Sequence, residues 1–98
     1  NTLAKIANGI TDTPVAMAVK SHLRNSRPVV LGVSTNDALG GSAKNIGLLL
    51  NTKHIYFLPM AQDDPQNKPR SVIAKFDLLE EAIKAALEER QIQPIFTS

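Results

Sequence analysis

Apolar residues recur with two different periods along this 98-residue chain, and each change of period marks the edge of an element. From Asn1 to about Asn8, Leu3, Ile6 and Ala7 stand at i, i+3 and i+4, the spacing of one helical face. Gly9 is placed to end that helix, because glycine takes the left-handed conformation without steric cost. Thr13-Pro14 predicts a second start. The threonine oxygen can accept from the first turn, and proline lacks only an N–H that would have had no partner there. Val15, Ala18, Val19, His22 and Leu23 make the stripe of this helix, which should stop near Asn25, ahead of Arg27-Pro28. His22 on that stripe reads as a packing residue.

The period then vanishes. Pro28 to Ser34 is a continuous apolar run rich in β-branched residues, which predicts a strand covered on both faces, as in a parallel sheet. A polar loop from Thr35 to Gly41 follows. Ser42 is placed to cap a third helix, with Ile46, Leu49 and Leu50 pointing inward. His54 to Leu58 is a second buried strand, so strand, helix and strand make a βαβ unit. Ala61 to Arg70, with its Asp, Gln, Asn and Pro residues, is an exposed loop. Ser71 to Ala74 fits a short strand or a helical turn equally well. Asp77 with Glu80 has capping-box spacing, ahead of an apolar face of Leu79, Ala82, Ile83, Ala86 and Leu87. Glu80 and Lys84 add an i,i+4 pair, and Gln93 to Phe96 can add an edge strand. The fold class is α/β with a parallel sheet. Two buried strands cannot cover their own faces and edges, and the chain opens in a helix. The pattern therefore reads as the C-terminal part, residues 1–98, of a larger domain whose N-terminal half is absent.

Composition narrows the function. Ninety-eight residues suit one domain with a modest core. No apolar run approaches the roughly 20 residues that cross a bilayer. The absence of Cys excludes disulfides and thiolate catalysis within this stretch and fits a cytoplasmic protein. Eleven cations stand against nine anions, and the only tight basic cluster is Lys68 to Arg70. With Tyr56 and three Phe as the only aromatics, no basic stripe with stacking partners exists, and nucleic-acid binding is rejected.

In an open parallel sheet, ligands collect beyond the carboxyl ends of the strands. Two polar segments fall there: Asn1-Thr2 and Ser34-Thr35-Asn36-Asp37. The plain reading is that such residues make turns and caps, but two such loops at one sheet end point to a site. Gly40-Gly41-Ser42 has neither Walker nor dinucleotide-binding spacing. His54 opens a strand with no acidic neighbour in sequence. Asp63-Asp64 has no third ligand at useful spacing, so no metal site is expected. Arg70 can grip a carboxylate bidentately, although such a cluster is often surface charge alone. No triad, zinc spacing or general base is visible.

Read together, the segments NTLAKIANGITDTPVAMAVKSHLR, RPVVLGVSTNDALGGSAKNIGLLL and KHIYFLPMAQDDPQNKP resemble the flavoprotein family that includes the homo-oligomeric flavin-containing cysteine decarboxylases. The resemblance covers essentially the whole chain. It implies a doubly wound, three-layer αβα flavodoxin-like or Rossmann-like sheet that binds FMN, typically at a subunit interface. Asn1 and Thr2 match the end of the family's flavin-contacting Asn-Thr motif, and Ser34 and Thr35 join them as cofactor-binding residues. Thr35 and Asn36 fall where the decarboxylases carry the Met-Asn of a motif that recognises substrate carboxylate, so Asn36 is an expected substrate-binding residue, and Arg70 joins it on its own chemistry as a carboxylate clamp. Around Asn36 the chain lacks the Pro, Met and Trp of the decarboxylase motif, so the decarboxylase substrate is not implied. The catalytic His of the decarboxylases belongs to the half that is absent. The nearest branch implies a homo-oligomeric subunit of a two-subunit oxidoreductase acting on a small dicarboxylate in the mother-cell cytoplasm of sporulating bacteria. Its partner is a dehydrogenase-like subunit that brings NAD(P). The alternative is a cofactor-free structural or regulatory partner of that dehydrogenase-like subunit.

Overall fold

The computed structural model describes residues 2–97, and the side chains of residues 3–96. Its elements run α1 (Thr2–Ala7), α2 (Pro14–Arg24), β1 (Val29–Leu31), α3 (Ala43–Leu50), β2 (Ile55–Phe57), β3 (Met60–Ala61), β4 (Ile73–Ala74), a 3-10 turn (Phe76–Leu78), α4 (Leu79–Leu87) and β5 (Phe96–Thr97). The helix signals near the start act as expected. Gly9, at φ +72°, closes α1: its N–H reaches the Ile6 carbonyl at 3.3 Å and the Ile10 N–H reaches Lys5 at 2.8 Å. Thr13 caps α2, its hydroxyl oxygen accepting the Ala16 N–H at 3.2 Å with Pro14 in the first turn.

β1 and β2 pair in parallel, Val29 against Ile55, Val30 against Tyr56 and Leu31 against Phe57. Successive strand residues face opposite layers. Leu31, Val33, Ile55 and Phe57 join a cluster with Ile46 and Leu49 of α3 and with Leu3 and Ile6 of α1. Val30 and Leu58 turn to the other face, where Ala82 of α4 meets them. The three-layer α/β arrangement follows. On the outer side of β2 the Gln91 side chain stands in for a strand, accepting the Phe57 N–H at 2.7 Å and donating to its carbonyl at 2.6 Å. β3 leads into a small mixed sheet, antiparallel to β4 and parallel to β5. Residues 71–74 thus take the strand reading, and Ala61 belongs to a strand rather than to the loop.

Three helices bury different residues from those the spacing indicates. In α2 the buried positions are Ala16 and Val19, while Val15, Ala18 and His22 are exposed. Among the described residues this helix packs on α1 and β1, where a narrow stripe suffices, and His22 is exposed. In α3, Ile46 and Leu49 are buried but Leu50 turns outward. In α4 the small residues Ala82, Ala85 and Ala86 face the sheet, leaving Leu79, Ile83 and Leu87 exposed. The capping box does not form: the 3-10 turn precedes α4, and Leu78 holds the cap position without a side-chain bond. Glu80 and Lys84 do pair, at 3.4 Å on open surface, where such a contact adds little. Among the described residues no helix is long and apolar enough to cross a membrane.

Candidate functional site

The loop beyond β1 is held from two directions. Thr35 and Val72 exchange both backbone hydrogen bonds at 3.0 Å, and the Ala74 N–H donates to Ser34 Oγ at 3.0 Å. The segment entering β4 therefore fixes the backbone of Ser34 and Thr35. Within the loop, Asp37 is the hub. Its Oδ1 accepts the Thr35 hydroxyl at 2.7 Å and the Ser42 hydroxyl at 2.9 Å, and its backbone carbonyl accepts the N–H groups of Gly40 and Ser42. The Thr35 hydroxyl first and the Ser42 hydroxyl second stabilise the carboxylate and hold the Asp37 carboxyl below the ordinary aspartate range. Ser42 is 3% exposed and helical at the start of α3, so it ties helix to loop instead of capping its own helix.

Above this loop lies a cavity of about 310 Å³ at the carboxyl end of β1. Leu3 and Ile6 of α1 with Leu31 and Val33 make its apolar wall, and Ser34, Thr35 and Ser42 supply its hydroxyls. That size and lining, mostly apolar with a few convergent polar groups, suit a small organic ligand. The residues fit the apolar body and polar edge of a flavin ring.

A second, open groove of about 540 Å³ adjoins the loop and is lined by Asn36, Lys68, Pro69 and Arg70. Its two sides are tied together. The Leu39 N–H donates to the Arg70 carbonyl at 3.0 Å, and the Arg70 stem lies where a side chain on Gly40 would have its Cβ, 3.0 Å from Cδ. Asp64 shapes the far end by accepting from the backbone and side chain of Asn67, and Gln62 donates to the Pro69 carbonyl at 2.9 Å. Asp64 is thus a turn former. The groove gathers two cations and an amide, a donor set for carboxylates.

Of the residues singled out from the sequence, Ser34 and Thr35 line the cavity, and Asn36 and Arg70 line the groove beside it. Asn1 and the side chain of Thr2 lie outside the described residues, although α1 runs along the cavity through Leu3 and Ile6. Neither His22 nor His54 lines the cavity or the groove. Sequence reasoning missed the Asp37 hub and Lys68 as a groove residue. The available signal was an Asp two positions after Thr35 and five before Ser42, a hydroxyl on each side of one carboxylate.

A chain with this layered sheet and this site is a member of the Flavoprotein family, whose model matches residues 1–86. It is similar to the B subunit of dipicolinate synthase of Bacillus subtilis (strain 168), with 55% identity over 95 residues, covering 97% of this chain and 48% of that protein. The crystal structure of the B subunit of dipicolinate synthase from Bacillus halodurans C matches with a TM-score of 0.95 and 51% identity, covering 98% of this chain and 49% of that one. The chain thus spans about half the length of both relatives.

Proposed function

We propose that this chain carries part of the FMN and substrate site of a dipicolinate-forming oxidoreductase, as the B-type subunit beside a dehydrogenase-like A subunit. The observation that supports this most is the adjacency of two unlike spaces at one strand end. An apolar cavity edged with hydroxyls lies next to a groove that gathers Asn36, Lys68 and Arg70. Ser34 and Thr35, with Asn1 and Thr2, hold the flavin. Asn36 donates its amide to one carboxylate of a dihydrodipicolinate-type precursor, and Arg70 grips a carboxylate through its guanidinium fork. Converting that precursor to dipicolinate removes two electrons and two protons from the ring. A flavin, when bound, supplies a two-electron acceptor there; NAD(P) on the A subunit is the other acceptor class. The β1–β2 pair is the C-terminal part of a wider doubly wound sheet, a reading supported by the half-buried state of all three β1 residues. The assembly is a homo-oligomer of the mother-cell cytoplasm during sporulation.

The test is direct. The full-length protein purified with FMN should retain a visible absorption band through gel filtration. With the A subunit present, Asn36→Ala and Asn36→Asp should lower turnover more than they lower thermal stability, since an Asp there repels an anion. Absence of the band together with unchanged turnover in both variants would establish the cofactor-free structural partner instead.

A further inference from the structure

The residue types around the cavity do not by themselves say which of its hydroxyls give protons and which receive them. The network around Asp37 does. An ionised carboxylate only accepts, so the Thr35 hydroxyl at 2.7 Å and the Ser42 hydroxyl at 2.9 Å must both donate to Asp37 Oδ1. A hydroxyl has one proton, so what Thr35 and Ser42 still offer the cavity is lone pairs. Ser34 is the reverse. Its oxygen already accepts the Ala74 N–H at 3.0 Å, and its proton is left to give.

From this we infer that Asp37 is a positioning residue that sets the polarity of the cavity. It makes the polar edge one donor, Ser34, beside two acceptors, Thr35 and Ser42. The complementary ligand edge has a carbonyl next to an N–H, the arrangement of a cyclic imide. The same arrangement rejects phosphate at this spot. The two hydroxyls that would otherwise donate to an anion are engaged by the Asp37 carboxylate, whose own negative charge within hydrogen-bond distance of both repels a second anion. The inference deepens the flavin reading above and rests on it for the identity of the ligand. It orients the imide edge of the ring system towards Ser34, Thr35 and Ser42 and sends any phosphate elsewhere.

Lumiflavin and 3-methyllumiflavin differ only in the imide proton and carry no phosphate. Titrated by fluorescence quenching into the intact protein, lumiflavin should bind at least about tenfold more tightly, because the methylated ring leaves Thr35 and Ser42 without a donor. Asp37→Asn should keep this preference, since its amide oxygen can still accept both hydroxyls. Asp37→Ala should shrink it to within about twofold, because the freed hydroxyls can rotate to donate. In that variant inorganic phosphate should also begin to compete, whereas in the wild type it should not. Equal affinity for the two flavins in the wild type overturns the inference, with no variant needed. An undiminished preference in a folded Asp37→Ala protein overturns it as well. If neither flavin binds, the flavin reading fails, and 1-methyluracil against 1,3-dimethyluracil decides the polarity by amide shifts at Thr35 and Ser42. Selective shifts with the N–H form sustain it, while equal shifts or none overturn it.

Discussion

On the α1 and α3 face of the strand pair, Val33, Ile46, Leu49 and Phe57 interlock as large side chains, whereas on the α4 face an alanine, Ala82, comes down onto Leu58 and Ala74. The contrast is sharpest at the end of β1. Towards α1 the space beyond Leu31 and Val33 is left open as the 310 Å³ cavity. On the opposite side the Phe76 ring and Leu58 occupy the room over Gly32, where a Cβ would lie 3.0 Å from Leu58 Cδ1 and 3.1 Å from two ring atoms. The cavity at the end of β1 therefore opens on the α1 side, while the space over Gly32 on the other side is filled.

The strongest way to break this contrast is Leu49→Ala on the interlocked face. Leu49 is 1% exposed, and its truncation should cost about 2–5 kcal/mol in urea unfolding of the intact protein. On the closed face, Gly32→Ala adds a methyl 3.0–3.1 Å from side-chain atoms of Leu58 and Phe76, which must give by a few tenths of an ångström, and should cost about 1 kcal/mol. Adding Phe76→Ala should return part of that loss. Strict additivity in the double mutant would mean that the ring is not what fills the space. Thr13→Ala removes the α2 cap outside both faces and should cost about 1 kcal/mol. Smallest of all, Leu87→Ala, at a position 69% exposed on the outer side of α4, should stay within about 0.5 kcal/mol. A loss comparable to that of Leu49 would place Leu87 in a contact surface.

Acid sharpens the comparison in another way. The folded-state value of Asp37 is depressed, so the stabilisation its carboxylate provides is fully present above the ordinary aspartate value of 3.8 and is lost as pH falls through the lower folded value. Amide protection at Thr35 and Ser42, corrected for the intrinsic pH dependence of exchange, should be flat from neutral pH down to about pH 5 and should fall only well into acid, below 3.8. The step should be absent in the Asp37→Asn protein, whose side chain does not titrate. A step near pH 6 at Thr35 would assign the loop's order to some other group.

The segments that line the cavity and the groove are legible in the residue pattern. The loop after the first strand and the Lys68–Arg70 stretch were both marked, and the structure places them side by side. What could not be read was how they are joined. The Thr35–Val72 exchange and the Ser34–Ala74 bond link residues 37 and 40 positions apart, and no local signal announces them. Ser42 shows the limit most clearly. By position it is a helix cap, but a carboxylate five residues earlier offers its hydroxyl a charged acceptor, and that bond prevails.

The sequence by itself determined what depends on short stretches of backbone. Gly9 ends α1 because only its conformation closes the turn so easily, Thr13-Pro14 starts α2, and two unbroken apolar runs become parallel strands around α3. Tertiary structure alone decided which side of each helix is buried and which hydroxyls of the cavity donate. Periodicity marks an apolar stripe but not the distance at which it meets the sheet. The alanines of α4 permit a close approach that turns Leu79, Ile83 and Leu87 outward. Hydrogen-bond polarity likewise belongs to pairs of groups, and the pairs around Asp37 and Ser34 exist only once the chain has folded back on itself.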